Sequence, residues 1–203
     1  MKIKMDKIKR LKAKSLELNS PDLWVSVTIS QDEIQLGIDM GTLQESESAR
    51  LGLNDRSFSG DEGDSLARSI AAKQSELAVV RWGGGTAKVI GINQFHDEPD
   101  VISVNGGVNV RYTADPGYGL VLTNRDQNLI PMILITGKCP DFKIMGWIIP
   151  AFAVQFLYKV HSGRCEDCQS EYGFLQRMKE HERCHINMQS LFPPWSFNKN
   201  LII

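Results

Sequence analysis

Apolar and polar positions alternate in short stretches over much of this chain, and in two places the alternation gives way to a helical period. After the turn signal Asn19-Ser20-Pro21, the stretch Leu23-Trp24-Val25-Ser26-Val27-Thr28 alternates like a strand. Ser30-Gln31-Asp32-Glu33 then forms a capping-box signature, which predicts a helix from there to about Gln44. Residues 45–64, rich in Ser, Gly and Asp, predict a long polar loop. From Ser65 the period is helical again: Leu66, Ile70, Leu77 and Val80 make one apolar stripe on a helix that carries Glu76. Trp82-Gly83-Gly84-Gly85 ends it. The glycine triplet has no Gly-Lys-Ser/Thr after it and no GxGxxG frame, so it reads as a helix stop and not as a nucleotide loop.

Five strands follow, at 100–104, 108–113, 119–123, 132–136 and 142–149. Asn105-Gly106-Gly107, Asp115-Pro116-Gly117, residues 124–128 and Cys139-Pro140-Asp141 supply the turns between them. Helices followed by a meander of β-hairpins predict an α+β fold.

Length and charge narrow the function classes. A chain of 203 residues holds one ordinary domain, with room for a small appendage. With 42% hydrophobic and 23% charged residues it is neither disordered throughout, collagen-like nor a coiled coil. The net charge of -1 is unevenly spread: residues 1–14 carry seven Lys or Arg against Asp6. The remainder then has 16 basic and 23 acidic residues, a net of -7. Contact with nucleic acid must therefore come from a local patch or from the basic arm, which reads as a short helix or a solvated tail. No apolar run follows the basic start, so no secretory signal is expected. The longest charge-free apolar run, 144–158, is short of the roughly 20 residues of a membrane span and contains Pro150. A cytoplasmic protein without a membrane segment is expected.

Four cysteines in such a chain point to metal ligation or burial. Cys165 and Cys168 form a CxxC pair, and after twelve intervening residues His181 and His185 stand at i and i+4. A tight CxxC turn presents two thiolates to one point, and one helical turn presents two imidazoles to the same point. Tyr172 and Met178 are placed to form a small core between them. The stretch resembles a two-cysteine, two-histidine zinc finger, which implies Zn2+ held by Cys165, Cys168, His181 and His185. Cys184 can replace either histidine, and His161 is a weaker substitute, whereas Cys139 reads as a small residue in a turn. By the same resemblance the base-contacting helix positions fall on Phe174, Arg177 and Glu180, of which only Arg177 is an evident donor. A closed four-ligand site leaves no open position, so the zinc reads as structural.

A second group is acidic. Metal-assisted phosphodiester cleavage needs carboxylate oxygens converging on Mg2+ or Mn2+, with a cation nearby. Glu76 on its helix, Asp100 after Pro99 at a strand start, and Asn109 and Arg111 on the next strand supply such a set; the last two share a face by the two-residue period. The order of motifs resembles the PD-(D/E)XK nuclease superfamily, and more closely a group of phage-type proteins within its reach. The matching pieces are Glu76-Leu77-Ala78-Val79, Pro99-Asp100, Val110-Arg111-Tyr112-Thr113 and Gly146-Trp147-Ile148, spread over residues 22–150.

The resemblance implies a nuclease-like domain and a catalytic set of Glu76, Asp100, Asn109 and Arg111. Asn109 stands where the pattern has a second strand acid, and Arg111 where it has a lysine. Asn brings no charge, and Arg is no proton acceptor near neutral pH. Asp97, Glu98, Asp115 and Asp126 are further acids that can complete the site. Glu76 and Asp100 also read more simply, as a helix-surface acid and a turn acid.

The resulting division is a basic arm at 1–20, a nuclease-like α+β domain at 21–157, a zinc-finger-like element at 158–188 and a tail at 189–203 packing on the body. The expected partner is DNA or RNA in the cytoplasm, that of a host if the chain is phage-encoded. The alternative is a zinc-stabilised protein interaction module without nucleic-acid chemistry.

Overall fold

The computed structural model describes residues 19–51, 62–89, 99–103, 106–116, 119–122, 126, 130–150, 160–161, 184–186 and 191–197. The run Met132-Ile133-Leu134-Ile135-Thr136 has no polar break, as suits a strand covered on both faces, and all five residues are buried. This strand, β6 (Met132–Lys138), lies inside a six-stranded sheet. The other members are β1 (Val25–Thr28), β2 (Thr86–Ala87), β3 (Val101–Ser103), β4 (Gly106–Thr113) and β7 (Asp141–Ile148). Their order is β1-β7-β6-β4-β3-β2. With two helices added, α1 (Gln31–Arg50) and α2 (Glu62–Gly83), the fold is α+β.

The strands are not a simple meander. β3–β4 and β6–β7 pair antiparallel with their chain neighbours, but β4 runs parallel to β6. Parallel neighbours need a crossover of a dozen or more residues. The chain between β4 and β6 provides it, and β5 (Leu120–Leu122) within that crossover joins a separate three-stranded sheet. Its partners there are β8 (Val160–His161) and β9 (Cys184–Ile186), in the order β5-β9-β8.

One face of the large sheet carries Val27, Val101, Val108, Val110, Ile133, Ile135, Phe142 and Ile144, packed against Ala78 and Val79 of α2. At about 25 cal/mol per Å2 of apolar surface, burial of this layer is the main stabilising term of the fold. The opposite face is buried too, through Met132, Leu134 and Ile148. The C-terminal segment bridges to β7 at Trp147 and closes on the helix side, where Phe197 joins the layer facing α2 and its ring lies 5.8 Å from that of Trp82. Phe192 and Trp147 exchange two backbone hydrogen bonds of 2.9 Å and their rings lie 5.0 Å apart. Trp147 Nε1 donates to Ser196 Oγ at 3.0 Å.

The capping box forms as the sequence requires: Glu33 N donates to Ser30 Oγ at 3.3 Å, and Ser30 N donates to Glu33 Oε2 at 2.6 Å. The helix then runs past Gln44 to Arg50, so the expected loop at 45–64 is largely helical at both ends. Residues 52–61 lie outside the described residues, and the polar groups at 45–47 are engaged on the helix surface. Ser46 Oγ donates to Thr42 O, Glu47 pairs with Arg50, and Glu45 accepts from Ser65 and Ser69 of α2 at 2.7 and 3.0 Å.

The two helices meet at backbone distance. A Cβ on Gly41 would lie 2.6 Å from the Ile70 Cα, and one on Gly37 would lie 2.5 Å from the Gln74 Cγ. Pressed between α1 and the sheet, α2 is buried on every side from Lys73 to Val79. Its apolar stripe serves α1 and the sheet edge together: Leu77 packs with Met40 of α1 and Ala87 of β2, Val80 reaches both core clusters, and Leu66 is exposed. No helix of the described residues is long and apolar enough to cross a membrane.

Candidate metal centre

All-round burial of α2 takes two charged residues out of water together. Lys73 and Glu76, one turn apart, have side chains 2% and 9% exposed. Lys73 Nζ donates to Glu76 Oε1 at 3.1 Å, to Glu76 Oε2 at 2.9 Å and to the Lys88 carbonyl at 2.9 Å. All three ammonium protons are thereby used, which is what makes such burial tolerable. Lys88 lies just past β2, and its own N–H donates to the Asp100 carbonyl at 2.9 Å. Asp100 is fixed at its carboxylate as well: Val110 N donates to Asp100 Oδ2 at 2.8 Å, so a side chain takes the place of a strand carbonyl.

Glu76 feels all of these charges. Burial pushes its carboxyl up to about 8; the Lys73 ammonium opposes the rise, the Asp100 carboxylate adds to it, and the Lys88 ammonium opposes it again. The two acids picked from the sequence, on a helix and at a strand start, are thus close enough to repel one another. Close approach of Pro99 to Gly107 helps to hold Asp100 there, since a Cβ on Gly107 would collide with the Pro99 ring.

Asn109 and Arg111 do not join them. Val108 and Val110 face the helices, so the strand period turns Asn109 and Arg111 to the opposite side of the sheet. They do share a face. Asn109 is buried, and Arg111 Nη2 lies 2.8 Å from Asp126 Oδ1, an ion pair whose acid is almost wholly buried. The four residues expected to form one centre are divided into Glu76 with Asp100 on one side and Asn109 with Arg111 on the other. Of the further acids, Asp126 is engaged by Arg111, Asp115 lies in the turn after β4, and Asp97 and Glu98 lie outside the described residues.

Lys73 and Lys88 are the site residues that the sequence reading passed over. The i, i+3 spacing of Lys73 and Glu76 was the available signal, since opposite charges at that spacing meet on a helix.

Two carboxylates are hard oxygen donors of the kind that Mg2+ takes, usually one or two from protein with water and substrate phosphate completing the octahedron. Glu76 and Asp100 fit that requirement. Among the described residues no group of three or more His, Cys, Asp or Glu gathers around one point. Of the expected zinc ligands, Cys165, Cys168 and His181 lie outside the described residues. His185 lies in β9, paired with Val121 and Val160, and so is not on the helical turn that its i, i+4 spacing from His181 suggested. Strand pairing to β5 claims its backbone instead.

No family model, curated protein or solved structure matches this chain.

Proposed function

We propose that this chain engages nucleic acid through a divalent-metal centre held by Glu76 and Asp100 in a nuclease-like α+β domain. The observation that carries this reading is the hydrogen-bond chain that links the two acids: Lys73, bound to both Glu76 oxygens, donates to the Lys88 carbonyl, and Lys88 N–H donates to the Asp100 carbonyl. A bound Mg2+ or Mn2+ would supply the positive charge that draws in a phosphate oxygen. Asp100 is held by Val110 N–H and by its own place in the sheet, and Glu76 must give up its proton to act as a ligand. The basic arm at 1–14 supplies long-range attraction to the phosphate backbone. Zn2+ on Cys165, Cys168, His181 and His185 is the structural part of the same proposal.

The placement of Asn109 and Arg111 favours a second reading of the centre, binding without cleavage. β4 then supplies neither the second acid nor the cation that the nuclease pattern sets beside the metal.

The test is a gel assay of single- and double-stranded DNA and RNA with the full chain, in Mg2+ or Mn2+ and in EDTA, with Asp100→Asn alongside. Metal-dependent retention that weakens steeply with salt and is lost in Asp100→Asn is expected. Cut products would establish a nuclease, and retention of intact strands a binding protein. Association with proteins alone, insensitive to salt and metal, would overturn the proposal in favour of a protein interaction module.

A further inference from the structure

We propose that Lys73 is the positioning residue of this centre: its ammonium aims the Glu76 carboxylate and locks helix α2 to the strand that carries Asp100. This rests on the reading of Glu76 and Asp100 as metal ligands.

The argument is one of connected hydrogen bonds. Lys73 Nζ holds both oxygens of Glu76, at 3.1 and 2.9 Å, so that carboxylate cannot rotate without losing a bond. Its third proton goes to the Lys88 carbonyl at 2.9 Å. The Lys88 peptide is a pivot, because its N–H donates to the Asp100 carbonyl, also at 2.9 Å. Asp100 Oδ2 in turn accepts from Val110 N at 2.8 Å. One ammonium thus connects helix, β2 end, β3 start and β4 in a single chain of bonds, with a candidate ligand at each end.

The geometry also excludes a direct contact of Lys73 with substrate. All three protons are satisfied within the protein and the side chain is 2% exposed, so it has nothing to offer a substrate. Lys73 also stabilises the fold, because an apolar side chain at 73 alone would leave the buried Glu76 carboxyl without its ammonium, and metal affinity must therefore be read apart from stability. Outer partners that orient ligands typically matter by about 10- to 100-fold in metal affinity.

The test is Mn2+ binding by calorimetry to wild type, Lys73→Met, Glu76→Gln and the double variant, each checked for a cooperative melt. Lys73→Met should weaken Mn2+ by about 10- to 100-fold. In the Glu76→Gln background the same change should add no further loss, because Lys73 acts through Glu76. Unchanged affinity in Lys73→Met, or full additivity in the double variant, would overturn the inference while leaving the metal centre intact. Failure of wild type to bind Mn2+ would instead remove the centre itself. Should Lys73→Met not fold, the wild-type protein still decides: the Lys73 ammonium 15N resonance, protected by burial, should shift on titration with Mg2+, and a resonance that stays in place would contradict the role.

Discussion

Replacing Glu76 by Gln should change how stability depends on pH more than it changes stability at any one pH. The carboxyl sits at about 8 in the folded chain against an ordinary value of 4.5, raised chiefly by burial. A raised value means that the folded state binds a proton more tightly than the unfolded state. The stabilisation is therefore fully present below 4.5 and is lost as pH rises through about 8. At about 1.4 kcal/mol for each pH unit of that interval, the loss approaches 5 kcal/mol. For a chain of this size that corresponds to a fall in melting temperature of about 10 to 20 °C.

Gln keeps the shape and one of the two acceptors for Lys73 but has no proton to lose. Thermal melts of the two proteins from pH 4.5 to pH 9 would be compared at constant ionic strength. The wild-type curve should descend relative to the Gln variant across that window, and the difference should level off above it. Parallel curves would refute the reasoning, because a carboxyl that titrates equally in folded and unfolded chains contributes no slope.

Three further outcomes follow from the packing and the sequence. Gly41→Ala places a methyl 2.6 Å from the Ile70 Cα, so the helices must separate; a loss of about 1–3 kcal/mol in chemical denaturation is expected. Arg111→Ala removes the ion-pair partner shown for the buried Asp126 carboxylate and should cost about 1–3 kcal/mol, yet it should leave Mn2+ affinity unchanged because the pair lies on the other face of the sheet. Cys165→Ser should lower both bound zinc, read by atomic absorption, and the melting temperature, and an unchanged melt with unchanged zinc would dismiss the structural zinc site.

How much of this could be read from residues alone depended on how local the determining physics was. The capping box of Ser30 and Glu33 is decided within one turn, and the strand positions of β4, β6 and β7 follow from apolar runs bounded by turn residues; all are found where the sequence puts them. The parallel pairing of β4 with β6 was not legible, because alternation says nothing about a strand's direction relative to its neighbour. Nor was the splitting of Asn109 and Arg111 from Glu76. Alternation puts those two on one face, but Val108, Asn109 and Val110 are all buried, so the sequence held no solvent-facing side by which to orient the strand. Burial of Lys73 was hidden for a related reason: the apolar stripe of α2 lies against α1 and β2, Ala78 and Val79 meet the rest of the sheet, and the charged turn is enclosed between them. The Gly37 and Gly41 notch, four residues apart, was a visible sign of that enclosure.

The central claim is that Glu76 and Asp100 form one divalent-metal site, and Mn2+ calorimetry on the full chain tests it most directly. The account predicts a saturable Mn2+ site in the wild type that is lost in Asp100→Asn and in Glu76→Gln and kept in Arg111→Ala. An isotherm that is the same for wild type and Asp100→Asn, with or without measurable heat, would contradict it.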